Sequence, residues 1–265
     1  MSSRNSGVIH AGMYYPENSL KAKFCVEGNK LLYEYANQKN IAHKKTGKFI
    51  ISTRKSELHK LDKIYEQGLA NGVIIKKCSS NEIKNKEPSL NVKAGLYSPE
   101  TGIIDVPEFV TALEGDIQHK GGIISFNTEF LSANKINGNF SITCKDQDEF
   151  EIKAKTLINA SGLNSDFVSK NIKSLNKKYI YKINYAKGHY FKYSGENPFS
   201  CLIYPLPTLC FESFIWSMPI EDVKHYQIDM QCPRKTRLRC SPCRRIADLQ
   251  HMKQHQSSKM QMSLR

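Results

Sequence analysis

The segment RNSGVIHAGMYY, residues 4–15, is the most distinctive stretch of this 265-residue chain. One histidine, His10, stands between two glycines, and the paired tyrosines Tyr14 and Tyr15 follow it. Glycines let the main chain approach a neighbouring group closely, imidazole exchanges protons near neutral pH, and a tyrosine hydroxyl can bind a carboxylate. The segment therefore predicts a small-molecule site. The alternatives are a histidine that only hydrogen-bonds to main chain and tyrosines that only pack in the core.

Helical and extended patterns alternate after this segment. Apolar residues recur at helical spacing over 20–38, with Ser19 as the N-cap. A short strand is predicted at 47–52, a helix at 56–71 that Asn71-Gly72 ends, and a short helix at 79–87. A strand is predicted at 95–98, and Asp105 and Glu108 have the spacing of a capping box before the helix that runs to about residue 119.

The second half of the chain reads as a meander followed by a strand and a helix. A strand is predicted at 123–126, and the Asn137-Gly138 pair predicts a hairpin between alternating runs. The run 156–160 has the composition of a buried parallel strand and leads into a helix at 164–172. The fold class is therefore a mixed α/β core that carries a second sheet.

The turn between that strand and that helix consists of small residues. Small side chains let a ligand approach the main chain, and free N–H groups at a helix N-terminus favour oxygen-rich ligands. Simple strand-to-helix packing is the alternative interpretation. The residues of this turn are Ala160, Ser161 and Gly162.

The net charge of +14 is concentrated in the C-terminal tail. Residues 231–265 contain nine Lys/Arg and one acidic residue, and six of those nine are Arg, whereas only Arg4 and Arg54 precede residue 231. This pattern argues against specific nucleic-acid binding, although the tail charge can bind nucleic acid non-specifically. The switch in composition predicts a change of coding frame near 208–215 and a disordered basic tail over 209–265.

Two ligand-like spacings occur in the tail. Cysteines lie at positions 240 and 243 and histidines at 251 and 255, which are spacings seen in zinc sites. The surrounding sequence has no apolar periodicity, so we predict no metal site. The cysteines before residue 208 have no regular spacing, which favours free thiols over disulfides.

Several blocks of the chain resemble one enzyme family. Residues 4–15 and 19–25 are similar to the segment after the first βαβ unit of FAD-dependent L-2-hydroxyglutarate oxidases and dehydrogenases. The blocks 101–105, 187–191 and 203–207, and the 160–162 turn, resemble later parts of the same family. The resemblance extends over about residues 3–208.

The resemblance implies an incomplete FAD-binding Rossmann-like domain with an inserted, sheet-rich substrate domain. Residues 1–80 and 120–178 would form the first, and 81–119 and 179–208 the second. It implies FAD as cofactor and His10 as the group that takes the substrate hydroxyl proton. Cofactor contacts are implied for Arg4, Asn5, Ser6, Gly7, Ala160, Ser161 and Gly162. Substrate contacts are implied for Tyr14, Tyr15, His189 and Tyr190.

The chain departs from the family pattern in one respect that bears on function. It contains no Gly-x-Gly-x-x-Gly turn and no ribose-binding acidic residue after it, which in the family hold the dinucleotide. One hypothesis is an enzyme for a small 2-hydroxy acid that a separately encoded N-terminal fragment completes. Another is a non-catalytic remnant, and a third is an FAD oxidase for another hydroxy or amino acid.

The location is expected to be cytoplasmic. The sequence has no apolar run of the length that a membrane span needs. The resemblance adds an expected peripheral link to the inner membrane through its quinone pool.

Overall fold

The computed structural model describes residues 5–185, 187–193, 197–206, 215–216 and 226–232, the strands 187–193, 215–216 and 226–232 by their main chain alone. The chain divides into a larger unit, Ser2–Ala112 with Ala186–Arg265, and a smaller unit, Leu113–Tyr185. This division places residues 81–112 with residues 2–80, whereas the predicted domains join 1–80 to 120–178. Which unit serves the cofactor and which the substrate stays a prediction.

The larger unit is built on two sheets. A three-stranded sheet has the order β1-β6-β2, and a seven-stranded sheet has the order β10-β13-β12-β11-β3-β5-β4. The strands are β1 Val8–Ile9, β2 His43–Lys44, β3 Lys48–Ser52, β4 Lys76–Ser79, β5 Ala94–Ser98, β6 Gly102–Ile104, β10 Lys187–Tyr193, β11 Leu202–Pro205, β12 Ile215–Trp216 and β13 Tyr226–Cys232. The helices are α1 Leu20–Gln38, α2 Leu58–Ala70, α3 Ser80–Lys86 and α4 Val106–His119, the last of which continues into the smaller unit.

Strand β3 is the centre of the larger sheet. It pairs in parallel with β11 and antiparallel with β5, so that Lys48 lies beside Leu202 on one side and Ser98 on the other. Because side chains alternate along a strand, Lys48 and Ile50 share one face and Phe49 points to the other. Ile50 belongs to the cluster that includes Met13, Leu96 and Tyr204. The first residue of this strand is therefore a lysine directed to the face on which Ile50 packs against the core cluster.

Local signals in the sequence place the helices correctly. The Ser19 side chain accepts a hydrogen bond from the N–H of Ala22, which caps α1 as predicted. Asn71-Gly72 ends α2, and Gly72 has φ +75°. The predicted capping box at Asp105 is only half formed: Asp105 accepts from the Glu108 N–H, but the Glu108 carboxylate accepts from Ala42 instead.

The smaller unit contains an antiparallel meander. Strands β7 Glu129–Ile136, β8 Asn139–Lys145 and β9 Glu149–Ala154 form its sheet, and helix α5 Ser165–Lys170 follows. Asn137 and Gly138 both have positive φ, as the predicted hairpin requires. The predicted hairpin is therefore confirmed.

Two predicted strands of the smaller unit do not form. Residues 123–126 and 156–160 have no strand assignment. Ile123 is 93% exposed and Ile158 is 80% exposed. A strand needs a neighbour for its hydrogen bonds, and no described residue pairs with either segment. The prediction of a buried parallel strand at 156–160 is wrong for the described structure for this reason.

The predicted disordered tail is also wrong in part. Strands β12 and β13 lie within 209–265, and β13 pairs with all seven residues of β10. The other residues of that range lie outside the described part of the chain.

A buried carboxylate joins two distant segments of the larger unit. Glu87 is 2% exposed, and its oxygens accept hydrogen bonds from the Ser200 N–H at 2.9 and 3.1 Å and from the Ser200 hydroxyl. The Cys201 thiol donates to the same carboxylate at 3.3 Å. Glu87 thus fixes the segment that leads into β11.

We expect Glu87→Ala to lower the free energy of unfolding by about 2–4 kcal/mol, because it leaves the part-buried donors of Ser200 and the buried thiol of Cys201 without their acceptor. Urea unfolding of the full chain measures this change. Glu66→Ala, at an exposed position of α2, is the matched control and should change stability by less than about 0.5 kcal/mol. Equal effects of the two substitutions would contradict the role given to Glu87.

Candidate functional site

The segment from Asn5 to Tyr15 runs along the smaller sheet of the larger unit. Val8 and Ile9 pair with Ile103 and Gly102 of β6. Gly7 has φ +63°, and a side chain there would bring a Cβ within 3.2 Å of the Ile104 carbonyl oxygen. Small residues at this point are therefore required by the close approach of two main chains.

Three side-chain amides hold the segment in place. The Asn5 side chain accepts from the Gly7 N–H at 2.7 Å. The Asn29 amide donates to the His10 carbonyl at 3.1 Å and to the Glu100 carbonyl at 3.0 Å. The Asn71 amide donates to the carbonyls of Gly12 and Tyr15 at 3.0 and 2.8 Å. Each amide satisfies main-chain groups that a loop would otherwise leave to water.

His10 is a half-buried residue whose imidazole is neutral at physiological pH. Its pKa is lowered from 6.5 to about 4, mainly by burial and to a smaller extent by the positive charges of Lys48 and Lys21. A neutral imidazole can accept a proton. The predicted catalytic residue thus has the protonation state that a general base needs.

Lys48 is the residue that sequence reasoning missed. It is 1% exposed, and its ammonium lies 4.8 Å from the ring centre of Tyr14 and 4.5 Å from that of Tyr204. Burial lowers its pKa from 10.5 to about 7, an effect that the nearby thiol of Cys25 opposes. A signal was present in the sequence, because Lys48 opens a strand whose other residues are apolar apart from Ser52.

The two tyrosines of the segment have different surroundings. Tyr14 is packed against the main core cluster, and burial raises the pKa of its hydroxyl, which therefore stays protonated. The ring of Tyr15 lies 4.6 Å from the Lys21 ammonium, and burial raises its pKa as well. The structure thus brings His10, Tyr14 and Lys48 into one region, while Tyr15 contacts Lys21 of helix α1.

The remaining predicted contacts are distributed elsewhere. Arg4 lies outside the described residues. Ser6 lies within the described segment, where no side-chain hydrogen bond of it is found. His189 and Tyr190 lie on β10, in register with Met230 and Asp229, and their side chains are outside the described part. Their predicted roles stay predictions.

The small-residue turn at 160–162 lies in the smaller unit. Asn159 organises it, since its amide donates to the Ser165 carbonyl and the Ser169 hydroxyl, and its oxygen accepts from the Ser161 hydroxyl at 2.6 Å. The Ser161 N–H also donates to Asn159, so it is not the free donor that was predicted. Gly162 has φ +59°, which a side chain would strain.

We expect Asn71→Asp to lower the free energy of unfolding by about 2–3 kcal/mol. The substitution preserves the shape of the side chain but replaces the donor to Gly12 and Tyr15 with a carboxylate facing two carbonyls. Thermal and urea unfolding at pH 7 measure it. Asn91→Asp, at an exposed loop position, is the control, and a loss no larger than the control's would show that the two hydrogen bonds do not hold the segment.

Comparison with known proteins identifies the family. Residues 1–226 match the family of FAD-dependent oxidoreductases named DAO. The chain belongs to this family. The match continues past residue 208, so the predicted end of the family resemblance there is wrong.

Curated relatives within the FAD-dependent oxidoreductases are L-2-hydroxyglutarate dehydrogenases. The mitochondrial protein of Arabidopsis thaliana is 35% identical over 237 residues, which cover 78% of this chain and 49% of that protein. The Escherichia coli K12 protein is 32% identical over 208 residues, with coverage of 78% and 48%. The chain thus spans about half the length of these relatives.

Solved structures show that this family member has a mixed α/β fold like that of FAD-dependent oxidases. An L-α-glycerophosphate oxidase of Mycoplasma pneumoniae, solved with FAD bound, matches with a TM-score of 0.75 at 21% identity, covering 94% of this chain and 68% of that one. A glycine oxidase of Geobacillus kaustophilus matches with a TM-score of 0.70 at 14% identity, with coverage of 95% and 67%.

The sequence can be compared with what an FAD-binding domain requires. The close packing at Gly7 is against the Ile104 carbonyl of β6, so its contact with the flavin ring stays a prediction. The sequence contains no Gly-x-Gly-x-x-Gly turn that would hold the dinucleotide phosphates. This sequence therefore lacks the phosphate-binding turn that the family uses for its cofactor.

Neither a metal centre nor a membrane span is found in the described part of the chain. No group of three His, Cys, Asp or Glu side chains there is placed to hold a metal ion. No helix among the described residues has the length and apolar character that crossing a bilayer requires.

Proposed function

We propose that this chain carries the proton-accepting and substrate-binding part of an FAD-dependent enzyme that oxidises L-2-hydroxyglutarate to 2-oxoglutarate. The observation that carries the proposal is His10, a half-buried neutral imidazole on a segment fixed by Asn29 and Asn71. About one third of the aligned residues are identical to those of L-2-hydroxyglutarate dehydrogenases. These relatives give the proposal its substrate.

His10 supplies the base for the oxidation. Its neutral imidazole takes the proton of the substrate hydroxyl at a ring nitrogen, and the oxygen then forms the carbonyl of the 2-oxo acid. FAD, when bound, supplies the acceptor for the hydrogen on C2 and its electron pair. The buried surroundings keep His10 unprotonated at neutral pH, so it is ready to accept before substrate arrives. Ala11 and Met13, both buried, keep the adjoining main chain fixed.

The smaller unit supports the proposal that a further segment completes the cofactor site. Its apolar runs at 123–126 and 156–160 are exposed and find no pairing strand among the described residues. A βαβ segment with a Gly-x-Gly-x-x-Gly turn, upstream in the same gene or separately encoded, would supply a phosphate site. Its two strands would also be pairing partners for the two apolar runs. This segment is part of the proposal.

Complementation tests the proposal directly. The full chain is purified alone and together with the βαβ segment of the Escherichia coli relative, incubated with FAD, and passed through gel filtration. We expect flavin absorbance near roughly 450 nm to co-elute with the complemented chain and to bleach when L-2-hydroxyglutarate is added without oxygen.

Each other outcome has a distinct meaning. Flavin that co-elutes but is bleached by glycine or another hydroxy acid, and not by L-2-hydroxyglutarate, would replace the substrate in the proposal. A flavin-free peak in both samples would favour a non-catalytic remnant and contradict the proposal. A complementing segment whose glycine turn is replaced by alanines is the matched control and should bind no flavin.

A further inference from the structure

The ammonium of Lys48 has an unusual environment for a charged group. The side chain is 1% exposed. Its ammonium lies 4.8 Å from the ring centre of Tyr14 and 4.5 Å from that of Tyr204. Among the described residues, no carboxylate oxygen lies within 4.0 Å of the Lys48 ammonium nitrogen, so no ion pair forms there. Buried lysines without an anionic partner are costly, and they are found where a function requires them.

The strands on either side fix the position of this charge. Lys48 lies at the start of β3, between Leu202 of β11 and Ser98 of β5, and both neighbours are fully buried. Its main chain is therefore held on both sides by the sheet. The side chain projects to the face where the segment carrying His10 and Tyr14 crosses, because Ile50 on the same face packs with Met13 and Ala11.

The chemistry of the surroundings favours an oxygen anion. Aromatic faces stabilise a cation only in part, whereas a carboxylate would neutralise it and accept its N–H donors. His10 lies within electrostatic range of the same ammonium. A 2-hydroxy acid has its carboxylate and its hydroxyl on adjacent carbons, so a cation and a base close to each other can engage both groups of one molecule.

We propose that Lys48 binds the C1 carboxylate of the substrate and thereby directs the neighbouring hydroxyl to His10. The inference rests on the proposed function for the identity of the ligand. Lys48 is a substrate-binding residue in this proposal, and Tyr14 and Tyr204 form the aromatic walls around its charge. His10 and Tyr14 are both only partly buried, so a ligand of Lys48 would approach on their side.

The charged and titratable groups around Lys48 come from each packed element. The segment 10–14 contributes His10 and Tyr14, α1 contributes Cys25 and Lys21, and β11 contributes Tyr204. Tyr14 stays protonated, and burial raises the pKa of Cys25, so neither supplies a stable anion at pH 7. A bound carboxylate would be the missing negative charge, and it should draw a proton onto Lys48 above pH 7.

Calorimetric titration of the full chain with 2-oxoglutarate tests the proposal, because product binding does not require turnover. We expect Lys48→Met to weaken binding by about 10–100-fold at pH 6.5. Lys86→Met is the matched control, since Lys86 also lies over a tyrosine ring, that of Tyr97 at 3.9 Å, but is exposed. The control should bind as the wild type does.

A second readout separates binding by charge from a structural role. At pH 8.5 the wild type should take up a proton on binding, seen as a binding enthalpy that depends on the ionisation enthalpy of the buffer. Lys48→Arg keeps the charge at all pH values and should bind with no proton uptake. Equal affinities of wild type and Lys48→Met, or proton uptake that persists in Lys48→Met, would overturn the assignment.

The failure of the proposed function would appear differently. If the wild type binds pyruvate in a Lys48-dependent manner but not 2-oxoglutarate, the substrate is wrong and the carboxylate site stands. If neither 2-oxoglutarate nor pyruvate binds to the wild type, the carboxylate site is overturned. Circular dichroism of each variant checks that a lost signal does not come from a lost fold.

Discussion

Replacement of His10 by Gln is expected to lower kcat/KM for L-2-hydroxyglutarate by about 10²–10⁴-fold in the FAD-loaded, complemented protein. Gln preserves hydrogen bonding and approximate size but cannot take up the hydroxyl proton. The Asn29 amide donates its hydrogen bond to the main-chain carbonyl of residue 10. This bond does not depend on the side chain at position 10, so the segment should keep its position. Steady-state kinetics with a saturating electron acceptor measure the loss.

His59→Gln is the matched control for this prediction. His59 lies at an exposed position of α2 and should leave kcat/KM within twofold of the wild type. The pH profile adds a second check, because the wild-type profile should have an acidic limb near the pKa of His10, about 4, and the variant should lack it. Retention of more than a tenth of the wild-type activity by His10→Gln would remove His10 from the role of base.

Lys48→Met should raise the free energy of unfolding by on the order of 3–5 kcal/mol at pH 6. This range is an upper bound, obtained by converting the pKa change of Lys48 into a free energy. Burial lowers the pKa of Lys48 from 10.5 in the unfolded chain to about 7 in the folded one. Between these values the unfolded chain binds more protons, so wild-type stability should rise with pH. The advantage of the variant is therefore complete below about pH 7 and disappears as the pH approaches 10.5.

Urea unfolding at pH 6, 8 and 10 measures this dependence. Lys45→Met is the control, because Lys45 is an exposed residue paired with Glu100 at 2.6 Å. Such a pair contributes about 0–1 kcal/mol, so the control should be slightly destabilised at every pH. A Lys48→Met variant that is destabilised at pH 6 would mean that the ammonium already has a compensating partner.

The two predictions on Lys48 form a joint test. If Lys48→Met is more stable than the wild type yet binds 2-oxoglutarate more weakly, the charge of Lys48 lowers the stability of the fold and serves ligand binding. If Lys48→Met is less stable and also binds 2-oxoglutarate more weakly, Lys48 acts by packing. Few single substitutions separate these alternatives so directly.

Several elements of both units could be predicted from local patterns. Ser19, Asn71-Gly72 and the Asn137-Gly138 hairpin carry their own turn and cap chemistry, and the structure places each as predicted. The strands at 123–126 and 156–160 were predicted from composition alone. Composition does not reveal whether a neighbouring strand exists, and these runs lack one among the described residues.

The site shows the same limit. His10 and Tyr14 stand in a distinctive segment, whereas Lys48 lies 38 positions after His10 in an ordinary strand. Only the pairing of β3 with β11 and β5 places its side chain beneath Tyr14 and Tyr204. Local patterns predict only that Asn29 lies within a helix and Asn71 at a helix end, because a side-chain amide that donates to a distant carbonyl leaves no local pattern.

The pairing of β3 with β11 also has a consequence during protein synthesis. Lys48 and Leu202 are register partners, so β3 can pair with β5 soon after both leave the ribosome but must wait for β11. At about 5–20 residues per second, the intervening chain takes roughly 8–30 s to emerge. Through that interval one edge of β3 offers unpaired main-chain groups. The nascent chain is thus exposed to chaperones, and to mispairing with other chains, at the strand that later carries Lys48.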